Sequence, residues 1–161
     1  NCLNAIKYAR VNKVPLLGTC QGFQTIILEY VQNVSKISDA SHQEYTPNAK
    51  NLLITESACS LVGKAMDLTL VPRTIVAEAY NSITTTEKYY CSFEINRKFY
   101  DILKASDMVF AGMDKDGSVR VIELSNHPFF IGTLFVPQVN SSMEKHHPLV
   151  KKFINTVELR G

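Results

Sequence analysis

The sequence has no C-x-x-C pair, no apolar run long enough to cross a bilayer and no large surplus of either charge, and each absence removes a class of function. The four cysteines, Cys2, Cys20, Cys59 and Cys91, lie far apart. Neither a zinc ribbon nor a disulfide framework is indicated, and a reducing, cytoplasmic setting is the expectation. A formal net charge of +2, with Lys and Arg scattered except for Lys151-Lys152, gives no electrostatic footprint for nucleic acid or for an anionic membrane. There is no internal repeat and no low-complexity segment. What is present is 161 residues, 45% of them hydrophobic and 20% charged, which suits one domain with a full core. The expected partner is a small molecule or a protein.

The most pointed stretch is Pro15-Leu16-Leu17-Gly18-Thr19-Cys20-Gln21-Gly22-Phe23-Gln24, an apolar strand that runs into a glycine-flanked cysteine and then a helix. Such a turn projects the thiol from a tight corner, and the helix N-terminus lowers the energy of its thiolate. Around it, hydrophobic spacing predicts helices over 1–11, 21–32, 97–105 and 148–159. Strands are predicted over 13–18, 51–55, 66–71, 74–79, 89–95 and 129–135, with a hairpin of 108–113 and 118–124 about Asp114-Lys115-Asp116-Gly117. The strands between 51 and 95 read as an antiparallel insert. Residues 33–49 are polar and form a long loop, a common carrier of binding residues.

Four stretches in order resemble class I glutamine amidotransferase domains of the CTP synthase type. They are 5–10 leading to Gly18-Thr19-Cys20-Gln21-Gly22-Phe23-Gln24; Ser41-His42-Gln43-Glu44-Tyr45; Phe93-Glu94-Ile95-Asn96; and Asn126-His127-Pro128-Phe129-Phe130 through Phe135-Val136-Pro137-Gln138 to His147-Pro148-Leu149. The resemblance implies an α/β fold, a three-layer flavodoxin-like sheet with a small antiparallel insert. It also implies that residues 1–161 form a single domain lacking the family's first strands, because the Gly-rich loop supplying a second oxyanion donor has no counterpart here. In the family a cysteine attacks the side-chain amide of glutamine, a histidine activates it, a glutamate orients that histidine, and the ammonia feeds a synthetase. Carried over by position, Cys20 is the nucleophile, Gln21 offers a backbone oxyanion donor, and Gly18, Gln24 and Glu44 line the substrate site.

The same resemblance marks what has changed. The family's Phe-His-Pro-Glu string is Phe135-Val136-Pro137-Gln138 here, so the base and its orienter are replaced by a side chain without a proton acceptor and by one without charge. The arginine expected to meet the glutamine carboxylate is Ser92, beside Tyr90 and Cys91, which either reshape the pocket or simply fill it. The expectation is a domain of degenerate triad that binds glutamine or a related molecule in a regulatory role, with a synthetase domain or self-association as its protein contact. The alternative is a live cysteine amide hydrolase with a recruited base, from His42, His127 or a segment outside this sequence. No cofactor is implied. His146-His147 and the Asp114–Gly117 turn lack the further ligands a metal site requires.

Overall fold

The computed structural model describes residues 2–159. Its elements are α1 (Cys2–Val11), β1 (Leu16–Thr19), α2 (Gln21–Asn33), β2 (Ser41–His42), β3 (Leu52–Glu56), β4 (Ala65–Leu70), α3 (Ile75–Tyr80), β5 (Thr84–Lys88) and β6 (Phe93–Ile95). A 3-10 turn (Arg97–Phe99) leads into α4 (Tyr100–Lys104), followed by β7 (Met108–Met113), β8 (Val119–Leu124), β9 (Phe130–Thr133), a second 3-10 turn (Pro137–Asn140) and α5 (Pro148–Glu158). The main sheet has six strands in the order β1-β9-β8-β7-β4-β5. Only β1 and β9 run parallel in it, so among the described residues the sheet is mixed.

Helix α2 is the centre of the core because its apolar positions recur on one face: Phe23, Ile26, Ile27, Tyr30 and Val31 are all buried. It sits unusually close to the sheet. Gly18 of β1 and Gly132 of β9 are register partners, and a Cβ on Gly18 would stand 2.6 Å from Ile26 Cδ1, one on Gly132 3.2 Å from Phe23 Cδ2. The two glycines therefore make a flat floor on which the helix lies. Residues alternate faces along a strand, so Phe129 points the other way and meets Phe153 of α5 at a ring separation of 5.4 Å. Helices thus cover both faces of this end of the sheet.

Two polar contacts hold α1 in place. Arg10 grips Glu29 of α2 with two bonds of 2.8 and 2.6 Å, and His127 bonds the Ala9 carbonyl and the Phe129 amide at 3.2 Å each. His127 is a buried structural residue here, engaged on both ring nitrogens. The hairpin turn is closed from within, because buried Asp114 accepts from the Asp116 and Ser118 amides and pairs with Arg120. That carboxylate is a turn cap, and a basic side chain already neutralises it.

The sequence expectations need three corrections. Residues 74–79, whose β-branched run favours a strand, begin a helix instead: the Thr74 hydroxyl caps the Ala77 amide, and Glu123 of β8 accepts from the Ile75 and Val76 amides. Three capped donors outweigh a weak β preference. The strand expected over 89–95 is only β6, from Phe93, with 89–92 irregular, and β5, ending at Lys88, forms where no strand was expected. The expected insert is divided as well. Strands β4 and β5 extend the main sheet beyond β7, whereas β3 pairs with β6 and β2 in a separate three-stranded sheet.

Candidate active site

Cys20 stands where β1 ends and α2 begins. Its backbone is held at φ 53° and ψ −108°, and its amide donates to the Thr133 carbonyl of the parallel neighbour β9 at 2.8 Å. A non-glycine residue at positive φ costs roughly 1–3 kcal/mol and persists only where the surroundings enforce it. Here the pairing with β9 and the start of α2 do so, and the thiol projects half-buried from the corner. The Gln21 backbone N–H, the first of the helix, is directed at the sulfur.

The side chain that acts most strongly on that thiol belongs to another cysteine, Cys91, in the irregular link between β5 and β6. Its influence, opposed by burial and aided by the Gln21 amide, brings the Cys20 thiol down to about 7. Cys20, with burial, pushes the Cys91 thiol up, and that thiol donates to the Phe93 carbonyl at 3.7 Å. Of the two, Cys20 is the more acidic thiol.

Behind Cys91 a buried polar chain fixes its place. Gln24 Nε2 lies 3.8 Å from the Cys91 sulfur, and Gln24 Oε1 lies 3.0 Å from His42 Nε2. The Glu44 amide donates to His42 Nδ1 at 3.1 Å. That bond assigns the ring proton to Nε2, which donates to Gln24 and so turns the glutamine's amide nitrogen toward Cys91. Burial lowers the His42 pKa despite the Glu44 charge, so the ring is neutral. Phe93 and Tyr45 stack on it at 4.8 and 5.0 Å, and the Tyr45 hydroxyl accepts from Gln21 Nε2 at 2.6 Å. The polar loop is thereby strapped across the start of α2.

The predicted site residues thus fall into two groups. Gly18, Cys20, Gln21 and Gln24 gather at the corner, with Gly18 also serving as packing floor, while the Glu44 side chain is exposed at its rim. Gln138 reaches the corner from the second 3-10 turn, donating to Thr19 Oγ1 at 3.2 Å, and Val136 is half-buried one residue before that turn. Ser92 faces away, its hydroxyl 2.9 Å from that of Ser60. His42 and His127 each have both ring nitrogens in hydrogen bonds, and neither touches Cys20 in the bonds formed. The sequence reading left the position of Cys91 open; Phe93 and Tyr45 it quoted only as parts of the resemblance. No group of three or more His, Cys, Asp and Glu side chains suited to a metal ion occurs among the described residues.

A second buried cluster lies at the far end of β5. Glu87 accepts from Tyr80 at 2.6 Å, from His147 Nε2 at 2.9 Å and from Asn140 at 3.0 Å. Burial pushes the Glu87 carboxyl up, but the three donors outweigh it and hold it below the ordinary value. His147 also caps α5 by accepting from the Leu149 amide at 3.2 Å. The cluster ties α3, β5 and the Pro137–Asn140 turn to α5, so it sets where the 136–138 string stands.

This corner can be set beside known proteins. The family profile described as Glutamine amidotransferase class-I matches residues 1–156. The chain is a class I glutamine amidotransferase domain. It is 36% identical over 162 residues to the CTP synthase of Carboxydothermus hydrogenoformans, covering 94% of this domain and 30% of that enzyme. It is 34% identical over 162 residues to the CTP synthase of Sulfolobus acidocaldarius, covering 95% and 31%. The domain therefore spans about a third of the length of the curated relatives it matches. Among solved structures it is similar to the glutaminase domain of Trypanosoma brucei CTPS with bound acivicin, with a TM-score of 0.92 and 21% identity over 98% of this domain and 65% of that chain. A glutamine amidotransferase from Methylobacillus flagellatus gives 0.55 and 11%, over 98% and 66%. The α/β amidotransferase fold expected from the sequence is the fold observed.

Proposed function

We propose that this amidotransferase domain keeps the glutamine site of the CTP synthase type without efficient glutaminase turnover, and serves as a ligand-binding, regulatory unit for a synthetase domain. One observation carries the reading: among the described residues His42 and His127 each have both ring nitrogens bonded elsewhere and neither bonds Cys20, while the side chain acting most strongly on that thiol is Cys91. Amide hydrolysis needs a thiolate to attack and an acid to protonate the departing ammonia. Cys91 and the Gln21 amide supply the first requirement. Nothing bonded to Cys20 supplies the second, because Cys91 holds its proton tightly and Val136 has none to give. Loss of a triad base costs on the order of ten-thousand-fold in turnover.

The lowered Cys20 pKa favours a second reading, in which the thiolate still acylates and then stalls. Ammonia release from glutamine separates the two. Wild-type domain is expected to give none above the Cys20→Ser background; a single burst equal to the enzyme present would support the stalled acyl-enzyme, and steady turnover would overturn both. Restoring the missing groups with Val136→His, Gln138→Glu and Ser92→Arg together is expected to raise ammonia release at least about a hundredfold over background, the scale of a general base.

A further inference from the structure

Gln24 is buried yet incompletely bonded. It stands one helical turn after Cys20, with its backbone N–H donating to the Cys20 carbonyl at 3.4 Å, so the two side chains share one face of α2. Only 4% of the residue is exposed. A primary amide carries a pair of N–H donors, and among the described residues the sole partner of Gln24 Nε2 is the Cys91 sulfur at 3.8 Å. Sulfur is a weak acceptor, and the Cys91 proton is turned to the Phe93 carbonyl at 3.7 Å. A buried amide nitrogen in this state is short of an oxygen.

His42 keeps the amide from turning over. Its Nδ1 accepts from the Glu44 amide at 3.1 Å, so the proton of the neutral ring is on Nε2, which donates to Gln24 Oε1 at 3.0 Å. With the oxygen taken, the nitrogen faces the other way. The ring is itself held in place. The His42 carbonyl accepts from the Tyr45 and Thr46 amides at 3.1 and 3.0 Å, and Phe93 and Tyr45 pack on the imidazole at 4.8 and 5.0 Å.

We propose that His42 is a specificity-determining positioning residue, which fixes the Gln24 amide as a donor beside Cys20 and so selects a ligand offering a carboxamide or carboxylate oxygen. The inference rests on the glutamine-site reading above and names the contact that chooses the ligand. A ligand that brings an N–H to this point meets a donor unable to turn over, and a ligand with no polar group there leaves it short of an acceptor. The two ring nitrogens have separate tasks. Nδ1 shapes the 42–46 loop, and Nε2 sets the ligand contact.

The test uses the whole reduced chain. NMR of the isotope-labelled protein is expected to show His42 neutral at pH 7 with its proton on Nε2, and the Gln24 side-chain protons resolved and slow to exchange with water. His42→Gln keeps a donor at the Nε2 position and gives up the acceptor for Glu44; His42→Asn keeps the acceptor and gives up the donor. Protection of the Gln24 protons should survive in the first variant and be lost in the second. Calorimetric affinity for L-glutamine is expected to stay within about threefold in His42→Gln and to fall at least about tenfold in His42→Asn, the scale of one hydrogen bond from a buried group. L-norvaline, which has the carboxylate but no carboxamide, identifies the oxygen. A His42→Asn loss confined to glutamine assigns Gln24 to the carboxamide, and an equal loss for both ligands assigns it to the carboxylate. Equal losses of glutamine affinity in the two variants would overturn the proposal, because His42 would then act on the loop alone. So would a wild-type proton on Nδ1, or Gln24 protons that exchange freely. Wild-type protein that binds neither amino acid would overturn the ligand half of the proposal together with the reading it rests on, whereas the tautomer and amide signals decide the lock separately.

Discussion

A thiolate needs a neighbour to stabilise it, and the choice of neighbour decides what the thiol does next. An imidazole takes the proton and later returns it to the leaving group; a second thiol keeps its own. Cys91 is of the second kind, so its removal has a definite sign. Cys91→Ala takes away the largest effect holding the Cys20 thiol near 7, and the midpoint of Cys20 alkylation by iodoacetamide is expected to rise toward the ordinary cysteine value of about 8.5. At neutral pH the thiolate fraction then drops from about half to a few per cent, so the alkylation rate should fall roughly tenfold. An unmoved midpoint would assign the shift to the Gln21 amide and the start of α2 instead. The neutral His42 ring should not matter to this titration, since its contact with the pair runs through Gln24.

At the scale of elements, the corner depends on how closely α2 approaches the sheet. Gly18 sets that approach: a methyl there would meet Ile26 Cδ1 at 2.6 Å and the Gly22 backbone at 3.0 Å. The Ile26 side chain is able to turn, but the helix backbone must move. Gly18→Ala is expected to destabilise the domain by about 1–3 kcal/mol, as overpacking of a filled core does, read as a lower denaturant midpoint at unchanged slope. The displacement of α2 should also carry the Gln21 amide away from Cys20 and raise the alkylation midpoint in the same variant. This element was legible in the sequence, because an apolar run, two glycines and an amphipathic helix are all local signals. Helix α3 was not, since its β-branched residues are overruled by Glu123, which comes from β8 some fifty residues later. Cys91 was hidden for a related reason. A continuous strand over 89–95 would place its side chain by alternation alone, whereas the break after Lys88 lets it turn toward Gln24.

The molecule as a whole is pinned between two buried charged clusters, Arg10–Glu29 at α1 and Glu87 with His147, Tyr80 and Asn140 at α5. The second positions the segment that in the family carries the base, and its integrity is therefore a condition of the restoration experiment. Glu87 titrates below the ordinary carboxylate value because its donors outweigh its burial. A carboxyl depressed on folding contributes stability above its unfolded pKa of about 4.3 and loses it as pH falls through the lower folded value. Glu87→Gln leaves the Asn140 amide facing another donor and removes the charge from the His147 and Tyr80 bonds. The cost at pH 7 is expected to be about 2–4 kcal/mol, in the range for breaking a buried charged network. The difference from wild type should narrow as pH drops below about 4, where the native carboxylate itself is protonated. Melting temperatures of the two proteins across pH 3 to 8 measure this directly. Parallel curves would mean that the carboxylate charge contributes nothing and that the cluster acts through packing alone. Converging curves would place the electrostatic hold on the 136–138 turn in Glu87.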